Sequence, residues 1–292
     1  VNKYLKDART LLENEKIDDA IKMYEKSLEL ASKENDERIY ADVCLEFGTL
    51  LVNLGDYNDA RKLFEAAYGR YKKLKVDEEI ANTSYNLALS FFNLGEYEKA
   101  LKFASEAQTL FEKTNNDSGL ADAAYVYALT LSAMGKYEDA LKQFKNILKL
   151  YQKNNNVDAI ISVYIDMAHI AIDMEREKDA ITYLKKAKEI ATTKNDPATL
   201  GDVFVTFGEI YEALEKYTKA CESFLDAAEN YVKAEMIDLA KEFLGRVDGL
   251  LEELPKGVVK WTKFEGANII LYTEDKNFFL TGEQKIREIV NK

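Results

Sequence analysis

The sequence predicts an all-α fold: a solenoid of six stacked helical hairpins and a closing helix, followed by a small mixed α/β C-terminal extension. Three observations carry this. An alanine recurs every 40 residues, at Ala20, Ala60, Ala100, Ala140, Ala180 and Ala220, with no slip. Twelve residues before each anchor stands another small residue: Ala8, Gly48, Ala88, Ala128, Ala168 and Gly208. The 292-residue chain has only two Pro and 13 Gly, a scarcity that favours long uninterrupted helices over a loop-rich β-fold.

Each 40-residue unit reads as two helices. In the third unit Ser84, Leu87, Ala88 and Phe91 keep a rhythm of three to four residues, one apolar helical face. A turn follows, with Gly55, Gly95 or Gly135 in three units and Glu15, Glu175 or Glu215 in the others. Gly95 follows Leu94 as a residue able to take the left-handed conformation that ends a helix. Tyr97, Ala100, Leu101, Ala104 and Ala107 then carry the rhythm on. The small pair has a physical reason: where two helices cross closely, a side chain larger than Ala pushes the axes apart. One hairpin cannot bury its apolar stripe alone, so the units stack.

This pattern resembles the tetratricopeptide repeat. That family also places an aromatic residue four positions after the anchor alanine and a second small residue after seven. Here the first of these is Tyr24, Phe64, Ala104, Phe144, Leu184 and Phe224, and the second is Ser27, Ala67, Ala107, Ile147, Ala187 and Ala227. Two features depart from the family: the repeat is 40 residues rather than the usual 34, and the proline expected near the repeat end is absent. The match covers about residues 1–240.

The helical repeats are expected to form one domain over 1–254 and the extension a second over 255–292. After Ala240 the rhythm runs on to Pro255 as a helix closing the last hairpin. Val258, Val259, Trp261 and Phe264, then Ile269 to Tyr272, predict two short strands around the turn at "EGAN". "GEQKIREIVNK" predicts a final helix. From Pro255 the tail carries seven basic and five acidic side chains, against a net −14 for the rest. It is too small to fold alone, so it is expected to pack on the array or on a second copy of the chain.

The net charge of −12 disfavours phosphate backbones and anionic lipid surfaces, and no nucleic-acid or membrane partner is expected. Cys44 and Cys221, 177 residues apart, make no disulfide framework, which points to a reducing, cytoplasmic setting. The chain begins at Val1 rather than Met, as a trimmed sequence does. His169 is the single histidine, with Asp166 and Asp173 within one helical turn of it. There is no Gly-rich phosphate loop and no paired Cys or His ligand motif. The expectation is a non-enzymatic protein with no cofactor and no metal site.

The tetratricopeptide resemblance implies that repeat positions 2, 5, 9 and 12, on the first helix of each unit, line a concave groove. The candidate partner-binding residues are Leu45, Asn82, Tyr85, Leu89, Phe92, Tyr125, Leu129, Ile165 and His169. An exposed apolar strip there would mark an interaction site for a peptide or amphipathic helix. The corresponding sixth-repeat residues, Asp202, Val205, Glu209 and Glu212, turn acidic, so a ligand with basic flanks is expected. The chain therefore reads as a protein-binding adaptor or scaffold. The alternative is a self-assembling protein that dimerises through 255–292 and keeps the strip internal.

Overall fold

The computed structural model describes residues 1–253, 262–264, 267–270 and 279–280. Its described residues contain thirteen helices in two compact units, Val1–Asn155 and Asn156–Lys292. The first unit holds four hairpins: α1 (Asn2–Glu13) with α2 (Ile17–Glu34), α3 (Glu37–Asn53) with α4 (Tyr57–Leu74), α5 (Asp77–Asn93) with α6 (Tyr97–Lys113), and α7 (Asp117–Ala133) with α8 (Tyr137–Lys153). The second holds α9 (Val157–Asp173) with α10 (Glu177–Lys194), α11 (Pro197–Ala213) with α12 (Tyr217–Lys233), and α13 (Ile237–Glu253). The expected boundary at Leu254–Pro255 lies outside the described residues.

The helices end by one device. A residue with positive φ stands at every twentieth position: Glu15, Asn35, Gly55, Lys75, Gly95, Asn115, Gly135, Asn155, Glu175, Asn195, Glu215 and Glu235. At the α5 end, Gly95 N donates to Phe92 O at 3.0 Å and Glu96 N to Phe91 O at 2.8 Å. This is the Schellman arrangement, which satisfies two carbonyls the helix leaves open. The pair recurs at Glu215 and Lys216, where the left-handed residue is not glycine. Caps open several of the following helices: the Asp36 side chain accepts from Arg38 N and Ile39 N, and that of Asp196 from Ala198 N and Thr199 N.

All six anchor alanines are fully buried. In the third hairpin the first helix is the more buried: α5 buries Ile80, Ala81, Thr83, Ser84, Leu87, Ala88, Ser90 and Phe91, while α6 buries only Ala100, Ala104, Ala107 and Phe111. Tyr97 and Leu101, predicted on the core face, are half-buried. Rings close the gaps beside the small residues. A Cβ added at Gly48 would lie 2.6 Å from the Phe64 ring, and one at Gly208 would lie 2.4 Å from that of Phe224.

In the second unit α13 covers the face α12 leaves open. Phe243 stacks on Phe224 and on Tyr231, both at 5.7 Å between centroids, and Val247 is fully buried. The remaining described residues form β1 (Thr262–Phe264), β2 (Ala267–Ile270) and β3 (Phe279–Leu280), antiparallel in that order. The sequence predicts two strands; the structure has a third, Phe279–Leu280, after the turn-type residues Asp275 and Asn277. The predicted final helix over 282–292 lies outside the described residues.

Two glycine substitutions separate packing from backbone conformation. Gly208→Ala should lose about 1–3 kcal/mol, because the Phe224 ring has to shift. Gly95→Ala meets nothing within 4 Å but keeps φ +74, so it should lose about 1 kcal/mol. Urea unfolding followed by far-UV circular dichroism measures both; equal losses would contradict the distinction.

Candidate functional site

The nine groove candidates divide between the units: seven lie on α3, α5 and α7, while Ile165 and His169 lie on α9 of the second unit. The expected exposed strip is corrected by the packing. Leu45, Asn82, Tyr85, Leu89, Phe92, Tyr125, Leu129 and Ile165 are all half-buried, and only His169 is exposed. Inner helices pack closely enough that each side chain in this row also leans on the core. Leu45 packs against the cluster that contains Cys44 and Tyr71. Tyr85, Leu89 and Phe92 pack against Ala88, Ala104 and Val126. The Tyr125 ring meets Phe144 edge-on at 5.9 Å.

Polar contacts add a feature that the sequence reading passed over. In alternate repeats the second residue of the 40-residue unit, on its first helix, is an aspartate, and it accepts from a tyrosine 29 positions later. Tyr71 Oη donates to Asp42 at 2.7 Å, Tyr151 Oη to Asp122 at 3.0 Å and Tyr231 Oη to Asp202 at 2.6 Å. The signal was present, since both residues recur every 80 positions. Burial pushes the Tyr71 and Tyr151 phenols up, and the bonded carboxylates add to the shift. Asp42 is also held by Arg38 Nε at 3.1 Å, and the guanidinium lies 5.6 Å from the centroid of the Tyr71 ring. Burial raises the Asp122 carboxyl, and the Tyr151 hydrogen bond opposes the rise. Tyr85 beside it is pushed up by burial and by the charge of Asp122.

The acidic turn of the sixth repeat is partly offset from within the chain. Arg246 of α13 reaches Glu209 at 3.3 Å and Glu212 at 2.8 Å and lies 4.6 Å from the Phe224 centroid. The closing helix thus offsets one of the two charges expected to attract basic ligands.

Among the described residues no group of three or more His, Cys, Asp or Glu side chains is placed to hold a metal ion. Cys44 and Cys221 are buried and form no disulfide, and burial pushes the Cys44 thiol up to about 12. No helix among the described residues is long and apolar enough to cross a membrane.

Family comparisons agree with this geometry. The tetratricopeptide repeat profile matches residues 5–73 and 79–153, and that of the soluble NSF attachment protein matches 120–256. The chain is a tetratricopeptide repeat protein. A third profile, the KH domain of transcription termination factor FttA, matches residues 245–292. Solved structures of similar fold include aspartyl phosphate phosphatase F from Bacillus subtilis, at 17% identity over 90% of this chain and 72% of that one, TM-score 0.62. A Rap protein complexed with Competence and Sporulation Factor aligns at 16% identity over 86% and 74%, TM-score 0.58. BtubC (BKLC) from P. vanneervenii aligns at 18% over 84% and 96%, TM-score 0.58. No curated relative matches at the sequence level.

One titrating group in the second unit gives a pH signature. Asp226 of α12 has its carboxyl pushed up to about 7, mainly by burial; Glu229 and Glu222 add to the shift, and Lys188 of α10 and Lys233 oppose it. A carboxyl whose folded pKa is raised favours the folded state when protonated. Its contribution is therefore full below the ordinary carboxylate range, near pH 4, and is lost as pH rises through about 7. Asp226→Asn should stabilise the protein at pH 8 by about 2 kcal/mol, allowing for solvent screening, and by little at pH 4. Urea midpoints across that range test this; a parallel offset at every pH would contradict it.

Proposed function

We propose that this tetratricopeptide repeat protein is a non-enzymatic adaptor that holds a protein or peptide partner along the inner helices of its first unit. The observation that carries this reading is the row Leu45, Asn82, Tyr85, Leu89, Phe92, Tyr125 and Leu129. Its side chains are half-buried on consecutive inner helices and already ordered by the core beneath them. A preordered surface of aromatic and aliphatic groups loses little side-chain entropy on binding. The similarly folded Rap protein was solved complexed with Competence and Sporulation Factor, which supports a binding role for this fold. Ile165 and His169 hold the corresponding repeat positions on α9 of the second unit. Leu129→Glu should abolish capture of a partner by the full chain while the helical circular dichroism stays unchanged. Capture that survives the change places the partner elsewhere.

A second reading concerns residues 245–292, where the KH-domain profile matches. KH domains clamp nucleotides with a Gly-x-x-Gly loop. No such tetrad occurs between Gly245 and Lys292, and that segment carries eight basic and eight acidic residues. Without the loop and without net positive charge, the module suits self-association of the chain better than a nucleic-acid backbone. Truncation after Glu253 should halve the mass seen by sedimentation, and the full chain should not bind single-stranded oligonucleotides at moderate salt. An unchanged mass, or oligonucleotide binding lost on truncation, defeats this reading.

A further inference from the structure

The three Asp–Tyr pairs are not equally complete. In the second repeat the carboxylate of Asp42 has two kinds of partner. Tyr71 Oη donates to it at 2.7 Å, and Arg38, one helical turn earlier, reaches it at 3.1 Å while lying over the same tyrosine ring. In the fourth and sixth repeats the tyrosine is kept and the cation is missing. Ala198 stands in register with Arg38 in the sixth, where Asp202 is exposed, whereas Asp122 of the fourth is half-buried. Tyr151 Oη donates to Asp122 at 3.0 Å, yet the position in register with Arg38 is Ser118. No ion pair reaches Asp122 among the described residues.

A half-buried carboxylate held by one hydroxyl keeps unfilled acceptor positions in a poorly hydrated setting. Beside it stand the buried Tyr151, which holds it through Oη, and the half-buried Tyr85 on α5 of the preceding hairpin. An aromatic face beside a carboxylate suits an alkylammonium or a guanidinium, which gains from both. The chain shows the filled version of this arrangement at Arg38.

We infer that Asp122 and Tyr151 form a binding position for a single Lys or Arg side chain of the peptide ligand. The ligand cation takes the place that Arg38 occupies beside Asp42 and Tyr71. Apolar ligand residues on either side rest on the row that contains Tyr85 and Leu129. This rests on the groove reading above and narrows it to peptides with one central basic residue. The basic preference thereby centres on the fourth repeat rather than the sixth, where Arg246 already pairs with both glutamates.

The test uses the full chain on an immobilised array of short random peptides, in four forms: unchanged, Asp122→Asn, Ser118→Arg and Leu129→Glu. The unchanged chain should retain peptides enriched in Lys or Arg at one position between apolar residues. Asp122→Asn should remove that enrichment and weaken the best basic peptides roughly 10-fold. Ser118→Arg lies on an exposed position, so folding is not at stake, and it supplies the missing guanidinium from within the chain. It should remove the same preference and raise the melting temperature. Retained peptides without basic enrichment, or an enrichment that survives both substitutions, overturn the inference and leave the groove reading intact. No retained peptide, or retention unaffected by Leu129→Glu, overturns the groove reading and this inference with it.

Discussion

Every feature of the two units depends on where the helices stop. A left-handed residue at each twentieth position limits the helices after the first to 17 or 18 residues. At 1.5 Å per residue this gives rods of about 26 Å. Equal rods return each repeat position to the same face, so small residues meet the same crossing and the anchor alanines are all buried. A stop displaced by one residue would rotate the next helix by about 100° and carry its alanine out of the crossing. The arrangement tolerates a left-handed cost of about 1–2 kcal/mol at non-glycine residues because at stops such as Glu175, Glu215 and Glu235 the Schellman hydrogen bonds close two open carbonyls.

The 40-residue period was legible because alanine at a close crossing is a strong chemical requirement. The 20-residue period was not. Glycine marks only three of the twelve stops, and Glu, Lys and Asn hold the other nine. Polar residues at helix ends are ordinary, so nothing in Glu215 or Lys75 announces a positive φ. The groove divides the same way. Its positions follow from repeat register, yet the burial of Tyr85 depends on how closely α5 approaches its neighbours, which no single-helix pattern contains. Arg246 lay beyond reach for the same reason. Its partners Glu209 and Glu212 sit on α11, more than thirty positions away, and only the docking of Phe243 brings them together.

The alternation of the Asp–Tyr pairs shows how one position serves two ends. In the third and fifth repeats the tyrosine position holds Phe111 and Ala191, both buried, and the aspartate position holds Asn82 and Ser162. Where the hydroxyl is lost, the charge is lost with it. A buried hydroxyl without an acceptor, or a half-buried carboxylate without a donor, costs about 1–3 kcal/mol, so the two residues change together. The pair is therefore first a way of tying the end of the outer helix to the start of the inner one.

That structural use is what makes the fourth repeat informative. Asp122 would be held by Tyr151 whether or not the chain bound anything, so its presence alone indicates no ligand. The difference lies in the remaining acceptor positions, which Arg38 occupies at Asp42 and which no described cation occupies at Asp122. Stability alone would favour an arginine at both places, since the inner helix can carry it at the same spacing. Keeping serine at 118 leaves the carboxylate available to an outside cation, and the core beneath keeps Tyr85 and Tyr151 in position to receive it. A surface already ordered for folding then needs only a partner's charge and apolar flanks to become a recognition site.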